Sequence, residues 1–464
     1  MRHKHPDATE LLRQMREGER SSIDVVREHL DRVEAEQPRL NAATEILRDE
    51  ALAQAESPTP GPLSGLPITL KETYGLAGHD ITGGSARMPP IPVSEDAPVV
   101  KKLKDAGAIV IARSNVPEFV MTAETRNLRY GKTSNPLDPA RVAGGSTGGE
   151  GALIGSGASP LGFGTDILGS IRIPSCFCGI AGFRPHSGAV DKTGVWPESG
   201  DYFETWNGIG PMARSVRDLR LAYDVMAKQP AAAPAPVQGL RLLAPRNFPF
   251  KASAACIDAA HQSALTGLEQ AGMRLARDDD FSDVSGLYIN ALRIVTGEMT
   301  DVWKDWLSRG GEQFSVPREA LAQLLRCPTV DPGFFIWLLL AAPLYRPKTD
   351  AALAAIVAQF EAARSEYHAL LGSDGILCLP TLGMLAPKHG AMNRITLLSP
   401  GVNKLMTADT FVNYINLSAI SVPAWQHQDA RTGMVPGIML ACAPGAEGAL
   451  LDAAAALEKV ICPG

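Results

Sequence analysis

The stretch that decides the fold is AGGSTGGEGALIGSGASPLGFGTDILGSIRIPS, Ala143 to Ser175, in which glycine is far denser than its overall 44 in 464 residues. A run with so few Cβ atoms lets backbone approach backbone, or a ligand, closely. Three chemistries use such a tract, and spacing separates them. A phosphate cradle needs G-x-x-x-x-G-K-[ST]; the chain's Gly131-Lys132-Thr133 has Arg126 where the first glycine must stand, so this reading fails. A dinucleotide fingerprint needs G-x-G-x-x-G, which Gly155, Gly157 and Gly162 do not supply. A nucleophile elbow needs G-x-S-x-G, and Gly144, Ser146 and Gly148 match it. The elbow also requires a downstream acid and histidine. His186, His261, His368, His389 and His427 are available without a distinguishing context, and that reading stays open.

Outward from the tract, the pattern alternates strand and helix. GLPITLKETYG reads as a short apolar strand ending at Lys71. Residues 97–125 read as a helix (APVVKKLKDAG), a buried strand (AIVIAR) and a loop leading into PEFVMTAE. The rhythm returns late in the chain, with LRLLAP and DGILCLPT as strands, ISVPAW as a strand edge and GALLDAAAALEKV as a closing amphipathic helix. The break PAAAPAPVQ, residues 230–238, is expected to divide two halves. Residues 7–56 read as two charged amphipathic helices, so 1–60 is expected to be an N-terminal helical layer. Residues 285–350 read as mostly helical, a channel or cap region rich in apolar side chains.

Composition limits the function. With 45% hydrophobic residues the chain can bury a large core without metal or disulfide. A net charge of −6 with interspersed signs gives nucleic acid no footing. Seven scattered cysteines, none in CxxC spacing, point to free buried thiols in a reducing cytoplasm and to no metal site. The polar N-terminus has no signal-peptide core, and the most lipophilic run, Gly333 to Ala342, is far short of the roughly 20 residues of a spanning helix. A cytoplasmic protein without cofactor or transmembrane segment is expected; the apolar run leaves room for a homodimer contact.

From about Leu66 to Leu219 the chain closely resembles the amidase signature enzymes. The tract itself carries the likeness, and LKETYGLAGHD and GSTGGEGALIGSG look most like the fatty-acid amide hydrolase branch. The chain as a whole is also similar to bacterial urethanases, and LCLPTLGMLAP, FVNYINLSAISVP and GMVPGIMLACAPG are fainter echoes toward the C-terminus. The resemblance implies an α/β fold: a single large α/β/α domain over residues 1–464 around a mixed twisted sheet. It also implies a Ser-Ser-Lys triad in which Ser170 is the nucleophile, Ser146, often on a cis peptide in the family, is the bridge, and Lys71 is the base.

The backbone N–H groups of Ile167, Leu168, Gly169 and Ser170 would form the oxyanion hole. Leu168 departs from the family, which usually has glycine there; a residue with a Cβ restricts the turn and puts substrate choice in question. A neutral base requires Lys71 to titrate well below the ordinary value of about 10.4, with Glu72 pointing elsewhere. Asp166 and Arg172 are expected to pair structurally, and Cys176 and Cys178 to be core thiols. Phe119, Val120 and Met121, with Phe334, Phe335 and Trp337, either line a substrate channel or fill core.

The function implied is hydrolysis of an amide or carbamate C–N bond in a small apolar or aryl-containing substrate through an acyl-enzyme. Two alternatives stand beside it: an amidotransferase-type subunit releasing ammonia from a glutamine or asparagine amide, and a non-catalytic binding protein on the same fold.

Overall fold

The computed structural model describes residues 5–462, apart from 199–201, 247, 250, 277–280, 282–283 and 393–405. The chain opens with α1 (Ala8–Arg16) and α2 (Ser22–Leu40), whose N-termini are capped by Asp7 and Ser21; each side-chain oxygen accepts an N–H that the helix itself cannot satisfy. There follow β1 (Ala43–Ile46), α3 (Arg48–Glu56), β2 (Pro67–Lys71), α4 (Pro98–Asp105) and β3 (Ile109–Ser114). The middle of the chain holds a small ribbon of β4 (Arg126–Asn127) and β5 (Gly131–Lys132), then α5 (Gly148–Gly155), β6 (Leu161–Asp166), α6 (Arg172–Cys178), β7 (Ala181–Arg184), β8 (Gly208–Ala213) and α7 (Val216–Met226). Beyond the 230–238 break come β9 (Arg241–Leu243), α8 (Ala255–Gln270), β10 (Arg274–Ala276), α9 (Val284–Ser308), α10 (Val316–Leu324), α11 (Pro332–Ile336), a π turn, α12 (Ala342–Tyr345) and α13 (Asp350–Leu371). The chain closes with β11 (Gly375–Pro380), α14 (Thr407–Tyr414), β12 (Ser418–Pro423), β13 (Gly437–Cys442) and α15 (Glu447–Ile461).

Among the described residues eleven strands form one mixed sheet in the order β1-β3-β2-β6-β8-β7-β12-β13-β11-β9-β10. β3, β2 and β6 run parallel, whereas β8, β7, β12 and β13 pair antiparallel. The period-2 rule sorts the core: Ile438 and Leu440 face the layer of α4, α7, α8 and α15, while Met439 and Ala441, which alternate with them, face α9, α13 and α14. The α/β/α architecture therefore follows from a sheet buried on both faces.

Three details depart from the sequence reading. The N-terminal segment is not purely helical, because β1 adds an edge strand antiparallel to β3. ISVPAW is no edge in the sheet: β12 lies between β7 and β13. Among the seven free cysteines, five are buried, but Cys256 is half-buried and Cys327 exposed, since α10 and its C-terminal turn lie on the surface. Of the apolar run, Phe334, Phe335, Trp337 and Leu338 are buried, while Leu339 and Leu340 face outward. Among the described residues no helix is long and apolar enough to cross a membrane.

Candidate active site

β2 and β6 are parallel neighbours, so their C-terminal ends meet at one edge of the sheet, where Lys71 closes β2 and Thr165 and Asp166 close β6. Side-chain-free positions let the neighbouring loops close on this edge. A Cβ at Gly145 would stand 2.4 Å from Thr122 O, and one at Gly164 would stand 2.5 Å from Thr147 Cγ2. The Gly145–Ser146 peptide is cis. Ser146 and Thr147 then lead directly into α5.

Lys71 is fully buried, and its Nζ lies 2.7 Å from Ser146 Oγ and 2.6 Å from Thr165 Oγ1. Burial pulls the ammonium down to about 7, against the opposing charges of Asp166, Glu150 and Glu72. Burial pushes Glu150 up to about 8, which keeps it largely neutral. Burial also raises Glu72, whose carboxylate accepts the Thr82 hydroxyl at 2.7 Å. Thr165 escaped the sequence reading, although its position four residues before Gly169 in GTDILGS was on view; only the parallel pairing of β2 and β6 shows that it meets Lys71.

Ser170 lies in the turn between β6 and α6. Its carbonyl accepts the Thr147 N–H at 3.2 Å, joining this turn to the Ser146 loop. Behind the turn, Asp166 accepts the N–H groups of Gly169 (2.8 Å) and Ile171 (3.1 Å) and pairs with Arg172 at 3.0 Å. Burial alone would raise Asp166, yet the Arg172 charge and hydrogen bonds hold it well below the usual carboxylate range. Arg172 also pairs with Asp409 on α14 at 3.1 Å, with all three groups fully buried.

This geometry revises the expected oxyanion set. The Gly169 N–H is turned back onto Asp166, because Gly169 takes φ +97°. The N–H groups of Ile167, Leu168 and Ser170 have no protein acceptor among the described residues. The left-handed position falls at Gly169, so Leu168 keeps a negative φ and its Cβ adds no backbone strain.

Ser170, Ile167 and Leu168 border an apolar cavity. Phe119, Val120, Met121 and Trp337 line it as well; Phe334 and Phe335 do not. Phe334 stands one layer back, edge-on to Phe119 at 5.1 Å and to Trp303 at 5.5 Å. The sequence reading missed Phe203, Met406, Thr410 and one face of α9 carrying Tyr288, Leu292, Met299 and Trp303. Their near-helical spacing signals a single face but not what it faces. Phe119 and Val120 both adopt φ above +50°. For a β-branched residue that conformation costs about 1–3 kcal/mol and persists only where the surroundings over-determine it.

A buried, partly neutral amine beside a hydroxyl, on an α/β/α sheet with an apolar cavity bordered by Ser170, fits an amidase-type hydrolase of carbon–nitrogen bonds. The chain belongs to the amidase signature family, whose Amidase model matches residues 24–451. Fatty-acid amide hydrolase 2-B of Danio rerio is 30% identical over 417 residues, covering 82% of this chain and 77% of its own. A glutamyl-tRNA(Gln) amidotransferase subunit of Carboxydothermus hydrogenoformans is 36% identical over 230 residues, 47% of this chain and 46% of that one. A solved amidase structure superposes with a TM-score of 0.82 at 26% identity, covering 98% of this chain and 100% of the other.

Proposed function

We propose that this protein hydrolyses an amide or carbamate of a small apolar or aryl-containing molecule, with Ser170 as nucleophile, Ser146 as proton bridge and Lys71 as base. The observation that carries the reading is the fully buried Lys71 amine 2.7 Å from Ser146 Oγ. Neutral Lys71 accepts the Ser146 proton as Ser146 takes that of Ser170, whose oxygen adds to the substrate carbonyl. The oxyanion is met by the N–H groups of Ile167, Leu168 and Ser170, whose lack of protein acceptors suits them to it. The proton returns through Ser146 to the nitrogen, the C–N bond breaks and the amine departs. Water then cleaves the Ser170 ester by the same relay. An amide yields a carboxylic acid; a carbamate yields, through a carbonate ester of Ser170, an alcohol and carbon dioxide.

The cavity supports an apolar or aryl substrate, because no charged side chain is among its described lining residues and Phe119, Phe203, Tyr288, Trp303 and Trp337 supply flat surfaces. The same feature argues against glutamine, whose α-ammonium and α-carboxylate would be buried without partners. The test is intact mass after fluorophosphonate treatment of wild type and Ser170→Ala, followed by turnover of matched aryl amide, fatty amide, carbamate and glutamine. Wild type alone should gain the adduct and release amine from the apolar substrates. Equal labelling of both proteins would move the nucleophile elsewhere, and ammonia from glutamine alone would restore the amidotransferase reading.

A further inference from the structure

Glu118 follows β3 by four residues, and its side chain is buried. Each carboxylate oxygen accepts one hydrogen bond from a segment remote in sequence. Ser85 Oγ donates to Oε1 at 2.6 Å, and the Asp331 N–H donates to Oε2 at 2.6 Å. Asp331 is itself the N-cap of α11, accepting the Gly333 N–H at 2.8 Å, and it pairs with Arg126 at 2.9 Å. One carboxylate thus fastens three pieces of chain together.

The next two residues are Phe119 and Val120, at φ +52° and +54°. The Phe119 N–H donates to Gly83 O and the Val120 N–H to Pro117 O, at 2.8 and 2.9 Å. The Phe119 ring packs against Phe334 of α11 at 5.1 Å and Trp306 of α9 at 5.3 Å, and Phe119 and Val120 both border the cavity that holds Ser170. A left-handed pair that includes a β-branched residue relaxes unless something outside it holds it. The tie to Ser85 and to α11 is that constraint.

We propose that Glu118 is a positioning residue for substrate selection: by holding the Phe119–Val120 turn against α11, it fixes the breadth of the cavity beside Ser170 and so the width of group that is bound productively. The proposal rests on the amide and carbamate reading of this cavity. In its ionised form the carboxylate is acceptor-only and matches two donors, whereas glutamine offers one acceptor oxygen and turns its NH2 toward the second donor. Alanine meets neither.

The experiment compares kcat and KM for 4-nitroacetanilide and N-(4-nitrophenyl)benzamide, which share a leaving group and differ in the width of the acyl group. Wild type, Glu118→Gln, Glu118→Ala and Ser85→Ala are assayed in parallel. The benzoyl substrate should lose at least about five times more kcat/KM than the acetyl one in Glu118→Gln, mainly through KM, with Ser85→Ala showing a smaller split of the same sign. Ser85→Ala and Glu118→Gln carry the test if Glu118→Ala does not fold. Parallel losses on both substrates, or none, would overturn the positioning role while leaving the proposed activity standing. Wild type that cleaves the acetyl but not the benzoyl substrate also overturns it. Wild type that cleaves no amide or carbamate removes the functional reading, and this proposal with it.

Discussion

Burying the Lys71 amine with two hydroxyls and, among the described residues, no ion-pair partner favours its neutral form, and the consequences can be measured. As the proposed base must be neutral, kcat/KM should rise with pH and level off above a midpoint near 7, the value to which burial brings Lys71. The stability linkage has the opposite cost. The folded value lies below the ordinary lysine value of 10.5, so between the two the unfolded chain holds more protons. The folding penalty is therefore complete below about pH 7 and fades as pH rises toward the unfolded value. Lys71→Met should accordingly lose at least about a thousandfold in turnover while melting no lower than wild type at pH 7. A Tm several degrees lower would show that the amine is stabilising. Thr165→Val removes an acceptor that favours the ammonium, so the kinetic midpoint should move to lower pH, with turnover reduced by about ten- to a hundredfold. Lys71, Ser146 and Ser170 were nominated by the family resemblance of local words such as PITLK, GGST and GTDILGS, and the structure brings Lys71 against Ser146. Thr165 was not nominated, since its role depends on which strand lies beside β2. The orientation of the Gly169 N–H depends on a single φ, which no residue identity specifies.

At the scale of elements, the turn after β6 is held from behind by charges that never touch the cavity. Asp166 accepts three N–H groups, those of Gly169, Ile171 and Arg172, and Arg172 binds Asp166, Asp409 and the Asn413 side chain, joining α6 to α14. Removing the cation leaves the Asp166 carboxylate buried without its compensating charge, a change that costs about 3–5 kcal/mol. Arg172→Leu should therefore lower stability by that order in urea denaturation and reduce kcat, since the donors of the turn are no longer fixed. Burial already raises Asp409 to about 8, so the further change Asp409→Asn should recover part of the loss. Strict additivity of the two substitutions would show that the groups are not coupled. The sequence announced the Asp166–Arg172 pair but gave no sign of Asp409, which arrives from 237 residues further along the chain. β1 was hidden for a related reason. Alanine, glutamate and leucine around Ala43–Ile46 favour helix, and pairing with the edge of β3 overrides that preference.

For the whole molecule, the 230–238 break raises the question of whether two halves fold separately. The sheet answers structurally, because strands from beyond the break do not form a sheet of their own: β12 pairs directly with β7, residue Ala419 opposite Arg184. The two helical layers cross the same boundary. Leu219 of α7 and Leu450 of α15 share one core, while Phe203 from the first half packs with Trp303 and Phe411 in the other. Even the first helix is tied across the chain, as Asp218 accepts the Ala8 and Thr9 N–H groups at 2.9 and 2.8 Å. Splitting the halves would expose the β7 and β12 edges together with apolar surface on both faces, so partial unfolding has no favourable stopping point. Calorimetry should accordingly show one transition, with far-ultraviolet and near-ultraviolet dichroism changing at the same temperature. Two resolved transitions, with protease cutting first between residues 230 and 238, would mean that the β7–β12 seam contributes too little to couple the halves. In that case activity would be lost at the first transition, because Ser170 and its supporting Asp409 lie on opposite sides of the seam.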